Sequence, residues 1–171
     1  MTNTAIKTVV CAALIILCAQ GRETALADGP DSAIRIDIPV QLEQADIVFN
    51  MNHFVMRGDK PVGIMYMDLL AKDFHDKDTK GKIIGVFYGE AAHFTLGDKA
   101  YNAARNVGTG NPYKEIIADL IRRGVHIEEC AVSMKAHQWV NEDLLPGVMV
   151  NSGAIQRLVQ LEKQGFVQIQ P

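Results

Sequence analysis

Apolar residues along this chain fall into two kinds of pattern, short continuous blocks and stripes spaced three or four apart, and the two alternate from about residue 45 onward. The clearest block is Lys82–Tyr88, Lys-Ile-Ile-Gly-Val-Phe-Tyr, which reads as a strand buried on both faces of a parallel sheet. Ala45–Phe49, Val125–Glu129, Val148–Val150 and Phe166–Ile169 read as further strands. Between them lie helical stripes. Pro61 opens a helix over about 61–75, with Val62, Met65, Leu69 and Leu70 on one side and Asp59 as its cap. Asn111 caps a helix that Pro112 opens and Gly124 stops, with Ile116, Ile117, Leu120 and Ile121 facing inward. A short helix over 131–138 and a longer one over 153–164, carrying Ile155, Leu158, Val159 and Leu161, complete the set. Gly89–Gly110 is the least legible stretch, with a short helix over 98–106.

Five strands separated by helix-length intervals predict an α/β fold, a three-layer sandwich around a mostly parallel sheet of about five strands. The domain proper spans 45–171. Before it, residues 28–44 read as a leader in which Ile34, Ile36 and Ile38 alternate with polar neighbours as a short edge strand would.

The first 27 residues follow a different pattern. Lys7 precedes the apolar run Thr8–Ala19, and Ala25-Leu26-Ala27 places small residues where a signal peptidase cuts. The run is shorter than the roughly 20 apolar residues of an ordinary membrane span. The expectation is a cleaved export signal, a periplasmic or secreted mature protein, and no stable membrane span after processing. Cleavage would remove Lys7, Arg22 and Glu23, taking the net charge from -3 to -4. That balance argues against a nucleic-acid partner, which needs a basic face. Cleavage would also remove Cys11 and Cys18, leaving Cys130 as the one cysteine.

Cys130 stands where a strand gives way to a helix, at the carboxyl edge on which α/β sheets bind ligands. Backbone N–H groups and the helix dipole favour a thiolate there, and the adjacent Glu128 and Glu129 oppose it. The competing reading is a buried structural thiol that fills the core. His126 lies four residues earlier on the strand, too far for a direct base. Partners must come from other strand ends, so His53, Tyr88, Gly89 and His93 are candidate pocket residues, with Asn111 at the start of a helix. The histidines lack HxH or HExxH spacing and predict no metal, and no nucleotide fingerprint or other cofactor motif is present. Without a CxxC pair, a thiol oxidoreductase is disfavoured.

Several segments carry a resemblance: Gly85-Val-Phe-Tyr-Gly-Glu-Ala-Ala92, Asn111-Pro-Tyr113, Leu120-Ile-Arg-Arg-Gly-Val125, Glu128-Glu-Cys-Ala-Val-Ser-Met-Lys135, and Leu144-Leu-Pro-Gly-Val148 followed by Ser152-Gly-Ala-Ile-Gln-Arg-Leu-Val159. In order and spacing they resemble the DsrE/DsrF-like family over nearly all of 45–171. The resemblance implies a mostly parallel five-stranded domain that assembles as a homo-oligomer, a trimer or hexamer. It further implies a sulfur relay in which Cys130 takes up persulfide sulfur from a donor and passes it to an acceptor, either proteins or small sulfane-sulfur compounds. The alternative is a non-catalytic module of the same fold that binds a small molecule or a protein, with Cys130 structural. A reactive Cys130 is expected to be open to solvent.

Overall fold

The computed structural model describes residues 34–171, so the export signal expected over 1–27 lies outside the described residues. The main unit runs from Val40 to Pro171. Its apolar blocks become the strands β1 (Ile47–Met51), β4 (Ile83–Phe87), β5 (His126–Cys130), β6 (Met149–Asn151) and β7 (Val167–Ile169). These form one sheet in the order β6-β5-β4-β1-β7, with every pairing parallel. All five residues of β4 are buried, as its unbroken apolar run demands.

Two helical layers cover the sheet. The helices α1 (Val62–Asp76) and α3 (Lys114–Arg122) bury Ile64, Met67, Ile117 and Leu120 against Phe49, Phe87 and Ile127 on one face. The opposite face carries Val48, Ile84, Val86 and Cys130, covered by Ala154, Leu158 and Leu161 of α5 (Ala154–Lys163). The three-layer α/β sandwich is therefore what the chain builds.

Local differences from the sequence reading have physical causes. The buried stripe of α1 is Gly63, Ile64, Met67, Ala71 and Phe74, whereas Leu69 is exposed. That helix is apolar on two sides, and only its packing selects which side faces the sheet. Pro61 is its N-cap, and no side chain, Asp59 included, makes a capping bond. Lys60–Pro61 forms β3, which pairs with β2 (Met56–Arg57) in a small antiparallel ribbon turned at Gly58. Two-residue strands are too short to leave a period in the sequence. The illegible stretch holds a 3₁₀ helix over Gly89–Thr95 and then α2 (Asp98–Arg105). The helix expected to open at Pro112 starts at Lys114. Ile34, Ile36 and Ile38 form no strand, because alternation supplies a pattern for pairing but no partner.

Gly81 is required where β4 begins. Its φ is +132°, and a Cβ would lie 1.9 Å from the Ala45 carbonyl oxygen, so only glycine lets the two chain segments pass.

Candidate functional site

The carboxyl ends of β1, β4 and β5 lie side by side. Cys130 ends β5 and is the N-cap of α4 (Ala131–His137). Its sulfur accepts a hydrogen bond from the Ala154 N–H at 3.3 Å, a group that α5 brings from 24 residues downstream. Burial pushes the thiol pKa up. The N–H groups of Ser133, Ala154 and Val132 and the Ser133 hydroxyl outweigh it, so the net position is below the ordinary thiol value. The side chain is not open to solvent, since Cys130 is only 4% exposed. The cause is α5, which packs Ala154 and Leu158 over the same sheet face as the sulfur.

Ser133 is fixed in turn. The Gly89 N–H donates to its Oγ at 3.1 Å, which leaves the hydroxyl proton free to point at sulfur. Gly89 holds φ +57°, a left-handed conformation suited to glycine, and a Cβ there would press on the Asn52 carbonyl at 3.1 Å. Tyr88, next to it, donates its hydroxyl to Asn50 Oδ1 at 2.9 Å. Burial raises the Tyr88 pKa, the Asn50 and Asn52 bonds lower it, and the Cys130 charge adds to the rise. Tyr88 and Gly89 therefore stand beside Cys130.

The other candidate residues lie elsewhere. His53 is exposed on the loop after β1, beside Asn50 and Asn52. One strand, β4, lies between β1 and the β5 strand of Cys130, so the two are two interstrand spacings, about 10 Å, apart. His93 donates from Nδ1 to the Glu90 carbonyl at 2.9 Å and meets the rings of His137 and Trp139 at 5.5 and 5.3 Å. Burial lowers its pKa first of all. These partners are at the far end of α4, about 10 Å along the helix from Cys130. Asn111, 1% exposed, gives its amide to the carbonyls of Phe94 and Leu96 and accepts from the Tyr113 N–H. Its side chain is consumed in holding the 3₁₀ segment, so it is structural and does not serve a pocket.

The acidic pair before Cys130 does not act as two neighbouring charges. Strand alternation sends the two side chains to opposite sheet faces. Glu128 accepts from Arg157 Nε and Nη2 at 2.7–3.1 Å, a bidentate ion pair with α5. Glu129 is fully buried on the other face. Its Oε1 accepts the Cys130 N–H at 3.0 Å, and its Oε2 lies 2.8 Å from Thr95 Oγ1. Burial drives its pKa up to about 9, against the opposing pull of the Thr95 and Cys130 bonds.

Ser133, Ala154, Thr95 and the raised pKa of Glu129 escape the sequence reading. Ser133 alone left a local signal, standing three residues after Cys130 and so within the first helical turn. Among the described residues no group of three His, Cys, Asp or Glu side chains is placed to hold a metal, and no helix is long and apolar enough to cross a membrane.

A family model described as the DsrE/DsrF-like family matches residues 64–171. No curated protein matches the chain in sequence. Two solved structures share the fold. A protein of unknown function, MTH1491 from Methanobacterium thermoautotrophicum, is 20% identical with a TM-score of 0.58, covering 74% of this chain and 99% of its own. The ychN protein from E. coli is 14% identical with a TM-score of 0.53 and the same two coverages.

Proposed function

The chain belongs to the DsrE/DsrF-like family, and from that premise we propose that it is a periplasmic sulfur carrier whose Cys130 holds sulfane sulfur as a persulfide. The family is associated with sulfur relay in general. The observation that carries the reading is the Ala154 N–H on the Cys130 sulfur at 3.3 Å, at a strand–helix junction where the groups of Val132 and Ser133 also favour an anion at that atom. The Cys130 thiolate attacks the outer sulfur of a donor persulfide. A new S–S bond forms to Cys130, the donor S–S bond breaks, and the donor leaves as a thiolate. An acceptor thiolate reverses the step, so neither oxidant nor reductant is consumed. The location rests on Lys7, the apolar run and Ala25-Leu26-Ala27.

The test is intact-mass spectrometry of wild type and Cys130→Ser after exposure to polysulfide and then to a reductant. The expected result is a reductant-sensitive gain of one or more sulfur atoms in wild type that the serine variant lacks. A second reading, favoured by the 4% exposure of Cys130, is a binding module of the same fold with a structural cysteine. It replaces the first if wild type gains no sulfur and folded Cys130 resists a small alkylating reagent.

The partners of the carrier reading are a sulfur donor, an acceptor and further copies of the chain. The three-residue strands β6 and β7 end the sheet on either side. Val132, Ile155 and Val159 are exposed, apolar area of the kind that association covers. The expected assembly is a closed trimer or hexamer. Multi-angle light scattering at micromolar concentration checks it, and a monomer throughout refutes it.

A further inference from the structure

Thr95 Oγ1 stands 2.9 Å from the Ala92 carbonyl oxygen and 2.8 Å from Glu129 Oε2, all of it buried. A threonine hydroxyl has one proton to give. If Glu129 is ionised, both oxygens facing the hydroxyl can only accept, and one proton serves one of them and leaves the other contact bare. Both contacts are satisfied together only if the carboxyl itself donates to Thr95 Oγ1 while the hydroxyl donates to Ala92. The other oxygen, Oε1, accepts the Cys130 N–H. Every atom of the cluster is paired when Glu129 is a carboxylic acid, and one contact is left without a proton when it is a carboxylate.

We propose that Glu129 holds a proton in the folded protein at neutral pH and is a positioning residue for Cys130, its acid form bonding Thr95 and the Cys130 amide while the negative charge of the site is left to the sulfur. The carboxyl sits among apolar neighbours, with Phe87 of β4 and Val150 of β6 beside it in register. The titratable and charged groups on the surrounding elements do not stabilise its ionised form. On the 3₁₀ segment these are Glu90 and His93, the latter bonded to the Glu90 carbonyl. On α4 they are Lys135 and His137 at its last turn. On α3, Lys114 pairs with Asp98, Arg122 pairs with Asp119, and Glu115 is exposed; just beyond its end, Arg123 pairs with Asp68 and Asp119. Arg157 of α5 is committed to Glu128 on the opposite face. The one titratable group coupled to Glu129 is the Cys130 thiol, whose charge raises the Glu129 pKa further. Two sites so coupled share their titration, and an anion at one delays ionisation of the other.

The proposal does not depend on Cys130 carrying sulfur, and neither does its test. Carbon-13 NMR of the folded protein reads the Glu129 carboxyl and the Cys130 β-carbon across a pH series, with Glu129→Gln identifying the first signal and Cys130→Ser the second. The expected carboxyl signal is that of a protonated acid at pH 7, moving to the ionised position only in the alkaline range and at lower pH in Cys130→Ser. Glutamine copies the acid, with one acceptor and one donor on the same partners, so the Cys130 midpoint in Glu129→Gln is expected to stay where it is in wild type. A Glu129 carboxyl already ionised at pH 7 overturns the proposal. So does a fall of about one pH unit or more in the Cys130 midpoint on that substitution, because it would mean that a negative neighbour had been removed. The wild-type carboxyl signal decides the matter even if the glutamine variant does not fold.

Discussion

Arg157→Ala is expected to destabilise the fold by about 3–5 kcal/mol, the usual cost of leaving one member of a buried ion pair without its partner. The Glu128 side chain is 6% exposed and its bidentate partner is the Arg157 guanidinium. The remaining bond, from Asn151 Nδ2 at 3.3 Å, is long and neutral. Urea unfolding of wild type, Arg157→Ala, Glu128→Gln and the double variant measures the effect. The double variant is expected to be more stable than Arg157→Ala, because it removes the stranded charge. Glu128 and Cys130 share a sheet face at the i, i+2 spacing, about 7 Å apart. The unpaired carboxylate is therefore also expected to raise the Cys130 thiol pKa in Arg157→Ala, readable in the same carbon-13 titration.

Glu129→Gln is expected to flatten the dependence of stability on pH. The carboxyl ordinarily ionises near 4.5, whereas in the fold it keeps its proton to about 9. Between those values the folded state binds one proton more than the unfolded chain, so each unit rise in pH costs wild type up to about 1.4 kcal/mol. The contribution is complete below pH 4.5 and is lost as pH climbs toward 9. From pH 5 to pH 8 wild type is expected to lose on the order of 3–4 kcal/mol relative to the glutamine variant. Urea midpoints at the two pH values check this, and parallel curves would show that Glu129 is ionised in the fold. The direction is unusual for a carboxylate, since most buried acids with charged partners gain stability as pH rises.

The sheet is legible in the sequence because its central strands are buried on both faces, and a block such as Ile83–Phe87 needs no partner information to be recognised. The helices are less so. Two apolar stripes compete on α1, and the choice of Ile64, Met67 and Phe74 over Leu69 is made by the sheet beneath. The position of Cys130 at a strand–helix junction follows from the local pattern, but its burial does not. What covers it comes from Ala154 and Leu158, more than twenty residues away in the chain. The same limit explains the acidic pair. Adjacent glutamates read as two charges in a linear sequence, while the pleat of β5 separates them to opposite faces, one beside Arg157 and one beside Thr95. Long-range partners decide the chemistry of Cys130, and a single sequence does not display them.

The pairing of β1 with β7 joins Ile47 to Val167, at opposite ends of the domain. Parallel pairing over so many residues carries a large loop-closure cost and contributes nothing until the final strand exists. A ribosome releases residues in order, so β1 emerges early and waits for a neighbour that is translated long after it. Over most of its synthesis the nascent chain presents β1 with one flank uncovered. A sheet completed only by a strand so far downstream thus stays pliable until β7 has emerged.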